Sequence, residues 1–270
     1  MELKLVTNTS RNAVIELTES GKYYTEKQYE IFVNAEKFMD SDKVITSLYG
    51  LTPDTEYKVS AIYDGKTIEP ITFKTDYEFV TLNVREFGAF GDGVHDDTNA
   101  IQCAIMACPK DSRVLVPEGV YKISSIFLKS DLTLELAKGA VLSAYTEREK
   151  FPILPGIIES YDEEKEYNLG SWEGNPIDTF SAIVCGINVK NVVITGEGIV
   201  DGNTSFDNWW KNCKERVIAW RPRLFFINHC ENVTMHGITV QNSPSWTLHP
   251  YFSNHLKFID VKIKNPANSH

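Results

Sequence analysis

Apolar and polar positions alternate in short runs over the first 75 or so residues. Glu56-Tyr57-Lys58-Val59-Ser60-Ala61-Ile62-Tyr63 and residues 68–74 each place apolar side chains at nearly every second position, and turn residues separate the runs. A period of two marks half-buried strands, so this segment predicts a small all-β sandwich. Alternation stops between Thr75 and Thr81 and a glycine-rich run follows, which divides the chain into domains at 1–77 and 78–270. Thr98-Asn99-Ala100-Ile101-Gln102-Cys103-Ala104-Ile105-Met106-Ala107 then carries apolar side chains at helical spacing. Asp96 and Asp97 just before it form a tempting carboxylate pair. A helix N-cap and first turn both favour aspartate, so capping is their expected role.

Beyond the helix the pattern repeats. Glu231-Asn232-Val233-Thr234-Met235-His236-Gly237-Ile238-Thr239-Val240-Gln241-Asn242 aligns with the twelve residues from Asn254 to Asn265 at a shift of 254 − 231 = 23. Val233 falls on Leu256, Met235 on Phe258, Ile238 on Val261 and Val240 on Ile263. Residues 190–202 and 130–136 are looser copies. Short strands at a fixed period near 23 predict a solenoid with one strand set per turn, its apolar positions stacked in ladders. Asn242 and Asn265 are expected to form a polar ladder at a bend, because asparagine tolerates the left-handed region. Two excursions interrupt the turns. Residues 154–174 contain the acidic run Glu159-Ser160-Tyr161-Asp162-Glu163-Glu164-Lys165-Glu166, read as a solvated surface, and residues 207–216, with Trp209 and Trp210, read as a short surface helix. Loops leaving one face of a solenoid commonly wall a groove.

Composition narrows the partners. With 42% apolar residues in 270 the chain can bury a sizeable core, and its formal charge of −10 argues against nucleic acid or an anionic membrane. An anionic polymer also fits that charge poorly unless a local basic cleft overrules it. The N-terminus lacks the apolar run of a signal peptide and no later segment approaches a membrane span, so a cytoplasmic location is expected. Five cysteines, Cys103, Cys108, Cys185, Cys213 and Cys230, are odd in number and lack paired spacing. They signal neither a disulfide framework nor zinc, and buried thiols are the expectation.

Three motifs carry a resemblance to known families. Leu51-Thr52-Pro53-Asp54-Thr55-Glu56-Tyr57-Lys58-Val59 resembles the fibronectin type III signature, which implies that the Tyr57 hydroxyl ties back to the preceding corner. Phe87-Gly88-Ala89-Phe90-Gly91-Asp92-Gly93-Val94-His95-Asp96-Asp97-Thr98 and, more specifically, Asn242-Ser243-Pro244-Ser245-Trp246-Thr247-Leu248-His249-Pro250 resemble the polygalacturonases of glycoside hydrolase family 28. The resemblance implies an all-β fold, a right-handed parallel β-helix (pectin lyase-like solenoid) whose end is plugged by the Thr98 helix. It also implies an inverting, exo-acting hydrolase of α-1,4-galacturonosyl bonds in pectin or oligogalacturonates, with no cofactor or metal. Trp246 and His249 are the candidate substrate-binding residues, an indole face for a pyranose and an imidazole for a hydrogen bond. The alternative is that Trp246 packs the core and His249 caps a turn before Pro250.

The family places its Asn-Thr-Asp motif, aspartate pair, Gly-His and Arg-Ile-Lys motifs after one further rung. Inverting hydrolysis needs an acid and a base carboxylate roughly 6.5 to 9.5 Å apart, and no residue here matches those motifs. Asp260, the one acid after Glu231, reads as structural. No catalytic residue is therefore assigned, the 270 residues alone are expected to be inactive, and their last rung is expected to self-associate through an open edge. Two alternatives stay open: a non-catalytic module binding oligogalacturonate or a protein, and a calcium-dependent pectate lyase.

Overall fold

The computed structural model describes residues 1–18, 23–157 and 168–265; the acidic run at 159–166 and the last five residues lie outside the described residues. The chain divides into two units, Met1–Phe79 and Val80–His270.

The first unit is antiparallel throughout. Strands Leu3–Asn8, Ala13–Leu17 and Ile45–Leu48 form one sheet, and Tyr24–Val33, Glu36–Lys43, Glu56–Tyr63 and Lys66–Lys74 form another. Alternation places Ile15, Leu17 and Leu48 of the first sheet in one core with Tyr29, Ile31, Val59 and Ala61 of the second, all 0–1% exposed. Two hairpins close through residue pairs with positive φ at both positions, Asn34-Ala35 and Asp64-Gly65, which is the backbone of a type I′ turn and matches the twist of the flanking strands. The Tyr57 hydroxyl accepts a hydrogen bond from the Thr52 backbone N–H at 2.8 Å, tying the start of its strand to the corner before it. Removing that hydroxyl in Tyr57→Phe should cost about 1 kcal/mol. Hydrogen exchange should show the loss in the amides of this unit while those of the second unit keep their protection; equal loss in both would mean that the two do not unfold independently.

The second unit is a parallel β-helix of three sheets. One runs in the order Thr81–Asn83, Arg113–Val116, Leu132–Leu136, Lys190–Gly196, Glu231–His236, Asn254–Ile259; a second Asp92–Asp96, Gly119–Ile123, Ala140–Ala144, Ile199–Asp201, Thr239–Gln241, Lys262–Lys264; a third Ile126–Phe127, Val184–Ile187, Phe225–Asn228, Leu248–Tyr251. The expected pairs stack in register: Val233 on Leu256, Met235 on Phe258 and Val240 on Ile263. The Met235 column continues through Ile194, Leu134 and Val114 to Leu82, a six-residue apolar ladder through the coil.

The period is less regular than the sequence suggested. Cys230 and Ser253, bonded across the last pair of turns, are 23 residues apart, but Asn191 and Asn232 are 41 apart and Asp131 and Asn191 are 60 apart. The coil keeps its register while extra chain leaves at a corner. The polar ladder also lies elsewhere than expected. Asp131, Asn191, Asn232 and His255 share one corner and all have φ between 53° and 56°. Asn191 donates to Asp131 and Asn232 donates to Asn191, each at 2.9 Å. Asn242 instead donates to Asp201 and Asn265 to Thr247. Asparagine and aspartate suit the stacked corner because their short polar side chains tolerate the left-handed region and satisfy neighbouring groups.

Helix Thr98–Ala107 forms as expected and buries Ile101, Ala104 and Ile105 in the core of the coil. The two aspartates before it divide their work differently from the expectation. Asp96 caps, accepting from the Thr98 N–H at 3.1 Å and its hydroxyl at 2.6 Å. Asp97 occupies the N-cap position, but its carboxylate turns away and accepts from the backbone N–H groups of Phe90 at 2.6 Å and Gly91 at 3.0 Å. A fully buried carboxylate thus holds the glycine-rich loop against the helix start. Of the five thiols, Cys108, Cys185 and Cys230 are buried as expected, while Cys103 is exposed. Among the described residues no helix is long and apolar enough to cross a membrane.

Candidate functional site

The corner between the second and third sheets is where the chain lengthens. From Gly119–Ile123 to Ile126–Phe127 it is short, but in the next turns residues 145–157 and 168–183, then 202–224, then 242–247 leave the coil there. Because the turns stack, these three segments stack as well, and together they line a groove of about 740 Å³.

Each segment brings indoles to it. The first folds into a small hairpin, Ser171–Trp172 against Asn175–Pro176. Trp172 stacks on Trp220 of the second segment with ring centroids 4.5 Å apart and planes at 14°. Trp210, also of the second segment, donates its Nε1–H to the Ser243 carbonyl at 3.1 Å. Trp246 comes from the third segment and is 54% exposed. Residues 207–216 form turns rather than the expected surface helix, and Trp209 is 1% exposed, packed edge-on against Phe151 and Phe180 with the Arg148 guanidinium 4.6 Å over its ring. One tryptophan of the pair anchors the excursion in the core and the other faces the groove.

Arg221 stands among these indoles, its guanidinium 4.3 Å from the Trp210 ring centroid and 5.2 Å from that of Trp172. It is 7% exposed and donates through Nη1 to the Pro244 carbonyl at 2.5 Å, while its buried Nε has no partner among the described residues. Burial pulls its guanidinium below the ordinary arginine value; Cys213 offsets part of this and the Arg148 charge adds to it. Two further charged side chains line the groove, Glu173 and Lys214.

Behind the indoles lies the outward face of the third sheet, where Cys185, Phe226 and His249 stand in register on successive strands. Arg223 is 4% exposed, crosses this layer 5.2 Å from the Phe226 ring centroid, and donates to the Ser171 carbonyl, fixing the hairpin that carries Trp172. Burial brings it down to about 10, with Cys185 and Tyr251 opposing. Burial also pushes the Cys185 thiol up to about 12. His249 lies within strand Leu248–Tyr251 rather than at a turn, is 7% exposed, and meets Trp246 edge to face at 4.4 Å. Burial, and after it the Arg223 charge, lowers its imidazole to about 4, so it is neutral at neutral pH.

Of the two residues expected from the sequence, Trp246 therefore lines the groove and His249 backs it. Trp210 was expected on a surface helix rather than in a groove, and Trp172, Trp220 and Arg221 were not singled out by the sequence. The run Trp220-Arg221-Pro222-Arg223, between two predicted rungs, was the available signal. Chemically the groove offers flat apolar faces and a cation, a surface that suits ring-shaped molecules bearing negative charge.

Fold and groove define a parallel β-helix protein with a ligand groove built at one corner of its turns. The glycosyl hydrolases family 28 profile matches residues 110–270, and the chain belongs to that family. It is 37% identical over 160 residues to an exo-poly-alpha-D-galacturonosidase of Dickeya chrysanthemi, covering 57% of this chain and 26% of the relative. It is 28% identical over 191 residues to a probable polygalacturonase of Vitis vinifera, covering 68% and 37% respectively. The chain thus spans well under half the length of these curated relatives. A family 28 exopolygalacturonase from Yersinia enterocolitica has the same fold, with a TM-score of 0.70 at 22% identity over 98% of this chain and 59% of that one.

Proposed function

We propose that the solenoid unit supplies the sugar-binding wall of a polygalacturonase-type hydrolase that cleaves α-1,4-galacturonosyl bonds by inversion, working from chain ends. The observation that carries this reading is the family match together with an indole-lined groove that holds a buried arginine. In it Trp246 is a platform for a pyranose face, and His249, neutral and buried, sets the angle of that platform rather than touching sugar. The first unit is read as fibronectin type III-like on the strength of its three- and four-stranded sheets and the Tyr57 tie.

The 270 residues by themselves are inferred to bind without hydrolysing. Inversion needs two carboxylates roughly 6.5 to 9.5 Å apart, and among the described residues Glu173 is the one acid that lines the groove. The same observation favours the second reading, a binding module. A calcium-dependent eliminase is the third reading, and its products separate it from the other two.

The test is release of reducing ends from oligogalacturonates. The purified chain should give none. A hybrid in which the following rungs of the Dickeya chrysanthemi relative are appended should give steady, calcium-independent release. Turnover by the chain alone would end the inference of inactivity and direct the search for acid and base to Glu173, Asp178, Glu197, Asp201 and Asp260. A hybrid that binds galacturonan without cleaving it would favour the binding module, and ultraviolet-absorbing unsaturated products would favour the eliminase. Phe258 and Ile263, 38% and 55% exposed on the last described strands, also lead us to expect that the purified chain self-associates and that the hybrid does so less. Sedimentation reads both.

A further inference from the structure

We infer that Arg221 reads the carboxylate of a hexuronate residue in the groove, which makes it the side chain that separates an acidic sugar from its neutral counterpart. This deepens the galacturonan reading given above and rests on it.

Arg221 buries its charge without a carboxylate partner among the described residues. Burying a guanidinium is costly unless a carboxylate or a full set of acceptors compensates it. Arg221 is 7% exposed, and among the described residues no acidic side chain pairs with it. Among the described residues its hydrogen-bond partner is the Pro244 carbonyl, and its buried Nε has none. The two ring faces nearest it belong to Trp210 and Trp172. These rings flank the guanidinium, and an N–H group that they and the Pro244 carbonyl leave uncovered is the place for a charge-assisted hydrogen bond to a carboxylate.

The balance of charge around it is positive. Lys214 and Glu173 offset one another on the lining, so Arg221 sets the groove's charge. Arg148 lies near enough to act on Arg221, and Arg223 lies behind the indoles. A chain with a formal charge of −10 thus carries a local cationic pocket, the feature that an anionic polymer requires of it. Trp246, half exposed on the same lining, offers an apolar face beside the cation. A uronate presents both complements, an apolar ring face and a carboxylate.

The experiment measures binding to the 270-residue chain by calorimetry and tryptophan fluorescence. Ligands are trigalacturonate, its methyl ester, neutral α-1,4-galactotriose, and acetate as a bare carboxylate. Trigalacturonate should bind at least tenfold more tightly than its ester or the neutral trimer, and acetate should not bind measurably. Arg221→Met should abolish the preference for acid over ester, and Arg221→Lys should retain part of it. Because Arg221→Met removes a stacked side chain, its fold is checked by circular dichroism, and the ligand series on the unaltered protein decides the matter if the variant does not fold. Equal affinity for acid and ester, or no binding of trigalacturonate, overturns the inference. So does a folded Arg221→Met that still prefers the acid. If the hybrid hydrolyses galacturonan while the chain ignores the carboxylate, the inference falls and the proposed function stands. If the chain discriminates acid from ester but the hybrid cleaves no galacturonan, the proposed function falls and the carboxylate assignment remains.

Discussion

Ile194→Ala should lower the stability of the solenoid by about 2–5 kcal/mol, and Ile194→Asp should leave it unfolded. Ile194 is 1% exposed at the middle of the ladder that runs from Leu82 through Val114 and Leu134 to Met235 and Phe258. Truncating it opens a void bounded above and below by other turns, which are tied to their own registers and relax little. Aspartate there would be a buried charge with apolar neighbours on both sides. The measurement is simple, because all five tryptophans of the chain, Trp172, Trp209, Trp210, Trp220 and Trp246, lie in this unit. Urea unfolding followed by indole emission therefore reports on the solenoid alone. A shift under 1 kcal/mol for the alanine variant would mean that the ladder contributes little.

Acidification should weaken the same unit between pH 6.5 and pH 4. His236 is 1% exposed; its Nδ1 lies 3.3 Å from the Thr195 hydroxyl, its Nε2 has no partner among the described residues, and burial lowers it to about 4. His249 is lowered to about 4 as well. A histidine held neutral in the folded state has a folded value below its unfolded one. Its contribution is complete above pH 6.5 and is lost as pH falls toward 4, because the unfolded chain takes up the proton first. For His236 the loss is on the order of 3 kcal/mol. Urea midpoints measured at pH 7 and pH 4.5 should differ, and His236→Leu should flatten part of that difference. A midpoint that stays constant across this range would rule out the neutral, buried state of both rings.

Much of the fold was legible because its causes are local. A period of two wrote the sandwich strands, a period of 3.6 wrote the Thr98 helix, and the 23-residue echo wrote the last two turns with their partners in register. Tyr57 was legible because its bond spans five residues. What escaped the sequence depends on partners far along the chain. Asp97 and Asp96 are equivalent by local rule, and only the return of the glycine-rich loop decides which of them caps. The stacked corner at Asp131, Asn191 and Asn232 hides behind spacings of 60 and 41 residues. Groove residues were the least visible of all. Trp246 was found through its motif, but Trp172, Trp210, Trp220 and Arg221 lie in excursions without periodicity, and they meet because the coil superposes the places where those excursions leave it.

That superposition has a mechanical consequence. Trp172, Trp220 and Trp246 belong to three consecutive turns, so a molecule lying across the groove adds a side-chain bridge to the strand ladders that already join them. It acts as a rivet through the stack. A solenoid ordinarily frays one turn at a time, and an occupied groove links the opening of each of these three turns to that of the other two. Ligand binding in this architecture therefore raises the cooperativity of the coil as well as its stability.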